Sequence, residues 1–167
     1  MTETTFTPDA ANARAFRDAL GQFATGVTVI TTEGPEGPMG FTANSFASLS
    51  LDPPLVLWSP AKSSLRFPIY AQAAHYTIHV LGADQSDLSR RFVRGGAGFD
   101  GLTHERTPEG VPVIPGTLAR FDCAHWAAYE GGDHLIVVGL VLRCALNGGA
   151  PLVFSQGSYG SFAPAAG

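Results

Sequence analysis

The chain has 167 residues, of which 45% are apolar and 14% are charged, and its formal net charge is −4. This length suits one domain with a substantial core, and so apolar a composition excludes an intrinsically disordered chain. The slight excess of acidic residues argues against a nucleic-acid partner or an anionic membrane surface, because both require clustered Lys and Arg.

The N-terminus and the cysteines indicate where the protein works. The first ten residues lack the basic and then apolar pattern of a signal peptide, and no apolar run is long enough to span a bilayer. Cys123 and Cys144 are too few for a disulfide framework or a zinc site. We therefore expect a soluble cytoplasmic protein in which both cysteines are small core residues.

The first predicted element is a helix near the N-terminus. Thr7 can cap its free N–H groups. Phe16, Leu20 and Phe23 then recur at helical spacing. The pattern ends at Gly26.

Strands dominate the remainder. A β-branched run at 27–32, a turn rich in Gly and Pro and a strand at 39–49 form a predicted hairpin. Further strands are predicted at 55–58, 76–81, 119–129, 134–145 and 151–154, and short helices at 63–74 and 84–93. The two longest strands pair across the glycine turn at 130–133. Strands at such short spacing predict a mainly β protein, a closed or nearly closed β-barrel with a few helices, in a single domain whose residues 1–9 and 163–167 are flexible.

One match to the dinucleotide-binding fingerprint is set aside. Residues 96–101 fit G-x-G-x-x-G, but that motif binds a pyrophosphate only when a strand precedes it and a helix follows. Here a helical pattern precedes it and a loop rich in Pro and Gly follows. We expect instead a mobile loop that carries Arg94 and Phe99.

The segment Gly40–Ser50 has an unusual composition for a strand. Small hydroxyl and amide side chains stand where ordinary buried strands have Val and Ile. Such side chains leave room for a flat ligand and offer hydrogen bonds to its edge. A polar edge strand that faces water accounts for the same composition equally well.

The residues after the next strand form a candidate anion site. If Ser63 or Ser64 opens a helix, its free N–H groups, the hydroxyls and Lys62 together suit a phosphate. The simpler alternative is that the serines only cap the helix. The position of this cluster, one strand after the small polar segment, favours a phosphorylated planar ligand.

Among the histidines, His134 has the most informative context. It follows a glycine turn and opens an apolar strand, so its side chain can point at a bound ligand, and its charge can change near neutral pH. A hydrogen-bonded turn residue is the alternative. His75 and His79 are four residues apart, but they lie in a predicted strand without a third ligand at suitable spacing, so we expect no metal site. A hydrolase on a β-barrel is a weaker alternative, because the chain has no G-x-S-x-G elbow. The absence of a G-x-x-x-x-G-K loop likewise argues against a P-loop nucleotide-binding protein.

These motifs together resemble the short-chain flavin reductases, which are the reductase components of two-component flavin-dependent monooxygenases. The resemblance runs from Phe16 to Phe162. It rests on residues 23–32 and 40–56, the loop 61–64, the Gly132-Asp133-His134 motif and the segments 151–154 and 157–160, all in the family's order.

The resemblance implies a homodimeric FMN-binding split barrel of Greek-key type, which reduces FMN or FAD with NADH or NADPH for a partner monooxygenase. The resemblance assigns contacts with the flavin to Thr42, Ala43, Asn44, Ser45, Ser48 and Ser50, and contacts with its phosphate to Lys62, Ser63 and Ser64. It places Arg94 and Phe99 in a loop that covers the flavin and Tyr159 near the cofactor. It places His134 on the nicotinamide side, with Asp133 in the turn before it. FMN and FAD are not distinguished, whereas the lack of an Arg cluster for a 2′-phosphate favours NADH. A barrel that holds FMN as a prosthetic group for electron transfer is the alternative function.

Overall fold

Strands dominate the fold, as the sequence predicts. The computed structural model describes residues 3–95 and 98–165. Its helical elements are a 3-10 turn (Ala10–Asn12) and helices α1 (Ala13–Gly21), α2 (Phe67–Gln72) and α3 (Ser86–Arg91). Its strands are β1 (Thr25–Gly26), β2 (Thr28–Gly34), β3 (Gly37–Ala43), β4 (Ala47–Leu51), β5 (Pro54–Trp58), β6 (His75–Val80), β7 (Glu105–Arg106), β8 (Pro112–Val113), β9 (Ala119–Gly131), β10 (His134–Leu146), β11 (Leu152–Ser155) and β12 (Ser158–Ser161). Within these described ranges, no helix has the length and hydropathy needed to cross a membrane.

The main sheet curls because of how its two edges are connected. Seven antiparallel strands follow the order β3-β2-β6-β9-β10-β5-β4, which places β3 and β4 at opposite edges. Only three residues, Asn44–Phe46, join these two strands, so the edges must approach each other to within about 15 Å. The continuous strand predicted at 39–49 is therefore wrong, since the chain leaves one edge at Ala43 and enters the other at Ala47.

Most of the other predicted strands are confirmed within two residues at each end. The long β9–β10 hairpin turns at Gly132, whose φ of +76° is accessible to glycine at little cost. Two register shifts, at 138/139 and 141/143, interrupt the pairing of β9 with β10. Such bulges bend strands and increase their twist, which suits a sheet that rolls into a barrel. A second sheet, β1-β11-β12, lies beside the first.

The helices are shorter than predicted. The side chain of Asp9, not Thr7, caps the first turn by accepting hydrogen bonds from the N–H groups of Ala11 and Asn12 at 3.0 and 3.1 Å. The helix then ends at Gly21, so Phe23 lies beyond it. The helix predicted at 63–74 begins only at Phe67, because the proline that follows fits a first turn. The one predicted at 84–93 spans 86–91.

Two clusters form the core. The barrel interior holds Trp58, Tyr70 and Tyr76 with aliphatic neighbours, and a second cluster beneath α3 centres on Phe92 and Leu81. Cys123 is buried in the barrel, as expected. Cys144 is exposed, which contradicts the expectation, because it lies with Leu142 and Leu146 on the outward face of β10.

His79 is a structural residue of this core. It is fully buried, its Nδ1 lies 3.1 Å from the carbonyl oxygen of Val29, and its Nε2 accepts a hydrogen bond from the N–H of Ile114 at 3.0 Å. Both ring nitrogens are therefore engaged by the backbone. In the part of the chain that the structure describes, no group of three or more His, Cys, Asp and Glu side chains could hold a metal ion.

The rejected fingerprint at 96–101 follows helix α3 rather than a strand, so the ground for rejecting it is confirmed. Two of its residues, Gly96 and Ala97, lie outside the described residues. The same holds for residues 1–2 and 166–167 of the predicted flexible ends.

Candidate functional site

A cavity of about 160 Å³ opens where the end of β3 meets the small sheet. Thr42, Ala43 and Asn44 line it from β3 and the residue after it, and Phe154 and Tyr159 line it from β11 and β12. Val27 and Val93 complete the apolar part of the wall. Hydroxyl and amide groups thus stand beside aromatic and aliphatic surfaces, an arrangement that suits a flat polar-edged ring.

A second groove, of about 260 Å³, adjoins this cavity and shares Asn44 and Phe154 with it. The remaining lining residues come from α1 and the chain that follows it, and they are Arg17, Leu20, Gly21, Phe23 and Thr25. Together the two spaces have the size of a common small-ligand pocket. A larger concavity of about 540 Å³, around Thr32 and His75, contains none of the site residues predicted from the sequence.

Thr42 is fixed by its contacts with the C-terminal turn of α3. Its backbone N–H donates to the carbonyl of Phe92 at 3.2 Å, and its hydroxyl donates to the carbonyl of Ser89 at 2.6 Å. The neighbouring Ala43 carbonyl accepts a hydrogen bond from the buried Thr28 hydroxyl at 2.7 Å. The β3 wall is therefore rigid, and the proton of the Thr42 hydroxyl is already committed.

Ser45 connects the cavity to the predicted phosphate loop. Its Oγ accepts a hydrogen bond from the N–H of Ser59 at 2.9 Å and lies 3.3 Å from the Ser59 carbonyl oxygen. The residues between β3 and β4 therefore lie against the start of the loop at 59–64. The sequence favours one phosphorylated planar ligand for both segments, and this contact brings the two segments together.

Lys62 attaches this loop to the β9–β10 turn. Its ammonium forms an ion pair with Glu130 and donates to the carbonyl of Gly132 at 2.8 Å, while its N–H donates to the carbonyl of Asp133 at 2.9 Å. Because α2 begins at Phe67, the anion site predicted from a helix N-terminus at Ser63 or Ser64 does not form in that way. Ser63 is exposed and Ser64 half-buried, both in the turn before the helix.

The loop also lies beside His134. Ala61 pairs with His134 in an antiparallel bridge, and the N–H of Leu135 donates to the carbonyl of Pro60 at 3.1 Å. The Nδ1 atom of His134 lies 2.8 Å from the Asp133 carboxylate, and this hydrogen bond lowers the pKa of that carboxyl. With Nδ1 engaged and the ring partly exposed, Nε2 is available to a ligand.

Four predicted residues are not gathered with the others. Ser48 and Ser50 lie on the edge strand β4, opposite Val56 and Leu55. Arg94 is exposed after α3. Phe99 is only 9% exposed, and its ring packs 5.1 Å from that of Phe92, so in this structure it belongs to the core rather than to an open covering loop.

Arg66 supports the cavity wall from behind, a role that the sequence does not reveal. Its guanidinium lies 4.5 Å from the Phe41 ring and donates to the carbonyls of Gly40, Phe92 and Val93 at 2.6 to 3.0 Å. Burial lowers the pKa of this guanidinium, although it stays charged. Arg66 thus ties the segment that ends α3 to β3. Its partners are backbone carbonyls remote in sequence, so no local pattern could have identified it.

Comparison with known proteins yields a consistent result. The profile of the family described as "Flavin reductase like domain" matches residues 20–163. The FMN reductase (NADH) SmoA of Agrobacterium fabrum is 61% identical over 160 residues, which cover 96% of this chain and 92% of that protein. The reductase component of the flavin-dependent trigonelline monooxygenase of Acinetobacter baylyi is 44% identical over 94% of this chain and 51% of that protein.

A solved structure agrees with the sequence comparisons. The NADH:FAD oxidoreductase SgcE6 of Streptomyces globisporus superimposes with a TM-score of 0.90 at 36% identity, over 99% of this chain and 100% of that one. SgcE6 has also been solved in complex with NAD and FAD fragments. The split-barrel fold expected from the sequence is confirmed by this agreement.

Proposed function

The chain belongs to the flavin reductase like family, and from this membership we propose that it is an NADH-dependent flavin reductase that reduces FMN or FAD and supplies the product to a partner monooxygenase. The observation that carries the proposal is the 61% identity with an NADH-dependent FMN reductase across 96% of the chain. We propose further that residues 1–167 form one domain of this kind.

The cavity between the end of β3 and the small sheet supports flavin as the ligand. Its apolar and aromatic walls suit a flat tricyclic ring, and the Thr42 hydroxyl oxygen, as an acceptor, and the Asn44 amide stand at the ring edge. We assign ring and ribityl contacts to Thr42, Ala43, Asn44 and Ser45, with Tyr159 as the opposite wall. Bound FMN or FAD supplies the hydride-accepting ring, so the chain needs to bind and align its ligands rather than provide a general base.

The loop at 61–64 is the proposed phosphate site. Ser63 and Ser64 present hydroxyls in an exposed turn, and Lys62 supplies a cation whose side chain is 35% exposed. An incoming phosphate competes with Glu130 for this ammonium group. The Lys62 contacts with Gly132 and Asp133 meanwhile keep the loop close to His134.

We propose that His134 acts on the nicotinamide side of the flavin, with Asp133 fixing the orientation of its ring. His134→Ala is expected to raise the KM for NADH about tenfold, as for a lost hydrogen bond to a ligand, and to leave the Kd for FMN within about twofold. Steady-state kinetics and FMN fluorescence titration measure the two quantities. Equal losses in both would contradict this role.

The function is tested by anaerobic oxidation of NADH and NADPH with added FMN, added FAD or no flavin. Turnover that rises with free flavin is the expected result, and it ranks the two flavins and the two nicotinamide cofactors. A tightly held yellow chromophore without turnover would instead indicate an electron-transfer module. If the protein shows neither flavin-dependent turnover nor a bound yellow chromophore, the assignment to flavin chemistry is wrong.

We propose that the protein is a homodimer. Large apolar side chains are exposed on three strands of the main sheet, namely Leu51 on β4 at 97%, Leu146 on β10 at 83%, and Trp126 and Tyr129 on β9. A surface of this kind marks an interface, and a second copy of the chain would cover it.

Sedimentation is expected to give a mass about twice the 17.5 kDa of one chain. Leu51→Glu should shift the equilibrium towards the monomer because it places charge in the proposed interface. Leu65→Glu is the matched control, since Leu65 is 98% exposed in the turn before α2. A monomeric wild-type chain would refute the dimer.

A cytoplasmic location is also proposed. Cys123 and Cys144 are free thiols, which persist where the environment is reducing. NADH is also an intracellular reductant, so the proposed reaction fits the same compartment.

A further inference from the structure

Ser89 lies between the two sheets that form the candidate flavin cavity. It is fully buried on α3. Its Oγ lies 2.8 Å from the hydroxyl of Tyr159 on the small sheet, and its carbonyl accepts the hydrogen bond from Thr42 on the main sheet at 2.6 Å. One residue thus contacts a wall residue of the cavity from each sheet.

Helix α3 holds Tyr159 at more than one point. Besides the hydrogen bond with Ser89, the Arg90 guanidinium carbon lies 5.5 Å from the centre of the Tyr159 ring. Phe154 packs against the same ring with a centroid separation of 5.5 Å. The hydrogen bond is the contact among these with a sharp distance requirement, so it sets the position of the ring most closely.

We infer that Ser89 is a positioning residue, whose hydroxyl fixes the separation of Tyr159 from Thr42 and thereby the affinity of the cavity for the flavin ring. The inference rests on the proposed function and extends it. Replacing Ser89 by Ala removes the contact with Tyr159 while the carbonyl of residue 89 can still accept the Thr42 hydrogen bond. The variant therefore changes one wall of the cavity and leaves the other in place.

A double-mutant cycle tests this coupling. Ser89→Ala and Tyr159→Phe are each expected to raise the Kd for FMN about fivefold, as for one lost hydrogen bond. The double variant should also be weaker by only about fivefold, because both changes remove the same interaction. FMN fluorescence titration without NADH measures the Kd, and the KM for FMN should follow it.

A matched control separates positioning from general stability. Thr32→Val removes another buried hydroxyl, which donates to the carbonyl of His75 at 2.9 Å outside the cavity lining. Its melting temperature should fall as that of Ser89→Ala does, with an unchanged Kd for FMN. If Ser89→Ala fails to fold, Tyr159→Phe alone tests the inference, because Tyr159 is only half-buried, and it should again raise the Kd for FMN about fivefold.

The outcomes are distinguishable. Unchanged FMN affinity in the single variants, or a double variant about twenty-five-fold weaker from strictly additive losses, would overturn the role of Ser89 while leaving the proposed function intact. A wild-type chain that neither binds nor reduces flavin would overturn the proposed function, and this inference with it.

Discussion

Gly40→Ala is expected to lower the free energy of unfolding by about 3 kcal/mol, as overpacking of a full core does. A Cβ at position 40 would lie 2.1 Å from Cδ1 and 2.4 Å from Cε1 of Phe92. Phe92 is fully buried, and its ring also packs against Phe99. The ring cannot retreat without opening the second core cluster, so either β3 or α3 must move.

The same substitution should weaken flavin binding. The carbonyl of Phe92 accepts hydrogen bonds from the N–H of Thr42 and from Arg66, and the carbonyl of Gly40 also accepts one from Arg66. Moving α3 away from β3 would break the contacts that fix the cavity wall. Chemical denaturation and FMN titration measure the two effects.

Two further variants test whether the stability loss of Gly40→Ala comes from its contact with Phe92. Gly26→Ala is the control, because nothing lies within 4 Å of a Cβ placed there, and it should change the stability by less than about 0.5 kcal/mol. Phe92→Leu should partly restore the Gly40→Ala chain, since a smaller side chain makes room for the new methyl group. A Gly40→Ala chain as stable as the wild type would show that the packing is looser than described.

The second large effect is a loss of stability in mild acid. Complete burial lowers the pKa of His79 to about 4, and the positive charge of Arg120 adds to the shift. In the unfolded chain the same side chain has a pKa of about 6.5. Between these values the unfolded state binds a proton that the folded state does not, so stability falls as the pH falls from 6.5 to 4.

The size of this contribution is about 3 kcal/mol over that window, because each pKa unit corresponds to about 1.4 kcal/mol. Denaturant titrations at several pH values measure it. In His79→Gln the free energy of unfolding should depend less steeply on pH, although the chain is less stable at neutral pH. His125→Gln, at an exposed position, is the control and should keep the wild-type slope. Equal slopes in the wild type and His79→Gln would contradict the prediction.

Local pattern was sufficient for most of the longer strands and for the family, although the short strands β1, β7, β8 and β12 were not predicted. Runs of β-branched and alternating apolar residues predict where the strands lie, because residues within one strand decide its preference for the pleated conformation. The motif around His134 and the small polar segment identify the family because each is a short stretch of chain read in order. The prediction failed where the chain changes direction, as at Asn44–Phe46, since that break depends on closure of a sheet whose other edge is far away in sequence.

For the candidate site, too, the sequence predicted the residues but not their contacts within the protein. The sequence identified Thr42, Lys62, His134 and Tyr159 as candidates but did not indicate which residues of the protein each would contact. Lys62 meets Glu130, 68 residues away, and Tyr159 meets Ser89, 70 residues away. Residue identity is a local property, whereas a contact between strands and helices arises only when their buried faces pack.

The sequence by itself therefore determined most of the longer strands, the family and most of the residues proposed to contact flavin. Only the tertiary structure shows that Arg66 and Ser89 form hydrogen bonds with segments that line the cavity, that Phe99 is a core residue and that Cys144 faces outward. Each of these depends on which faces meet when the sheet curls. Which faces pack together depends on burying apolar surface and pairing polar groups over the whole chain, so the sequence of a single segment does not determine it.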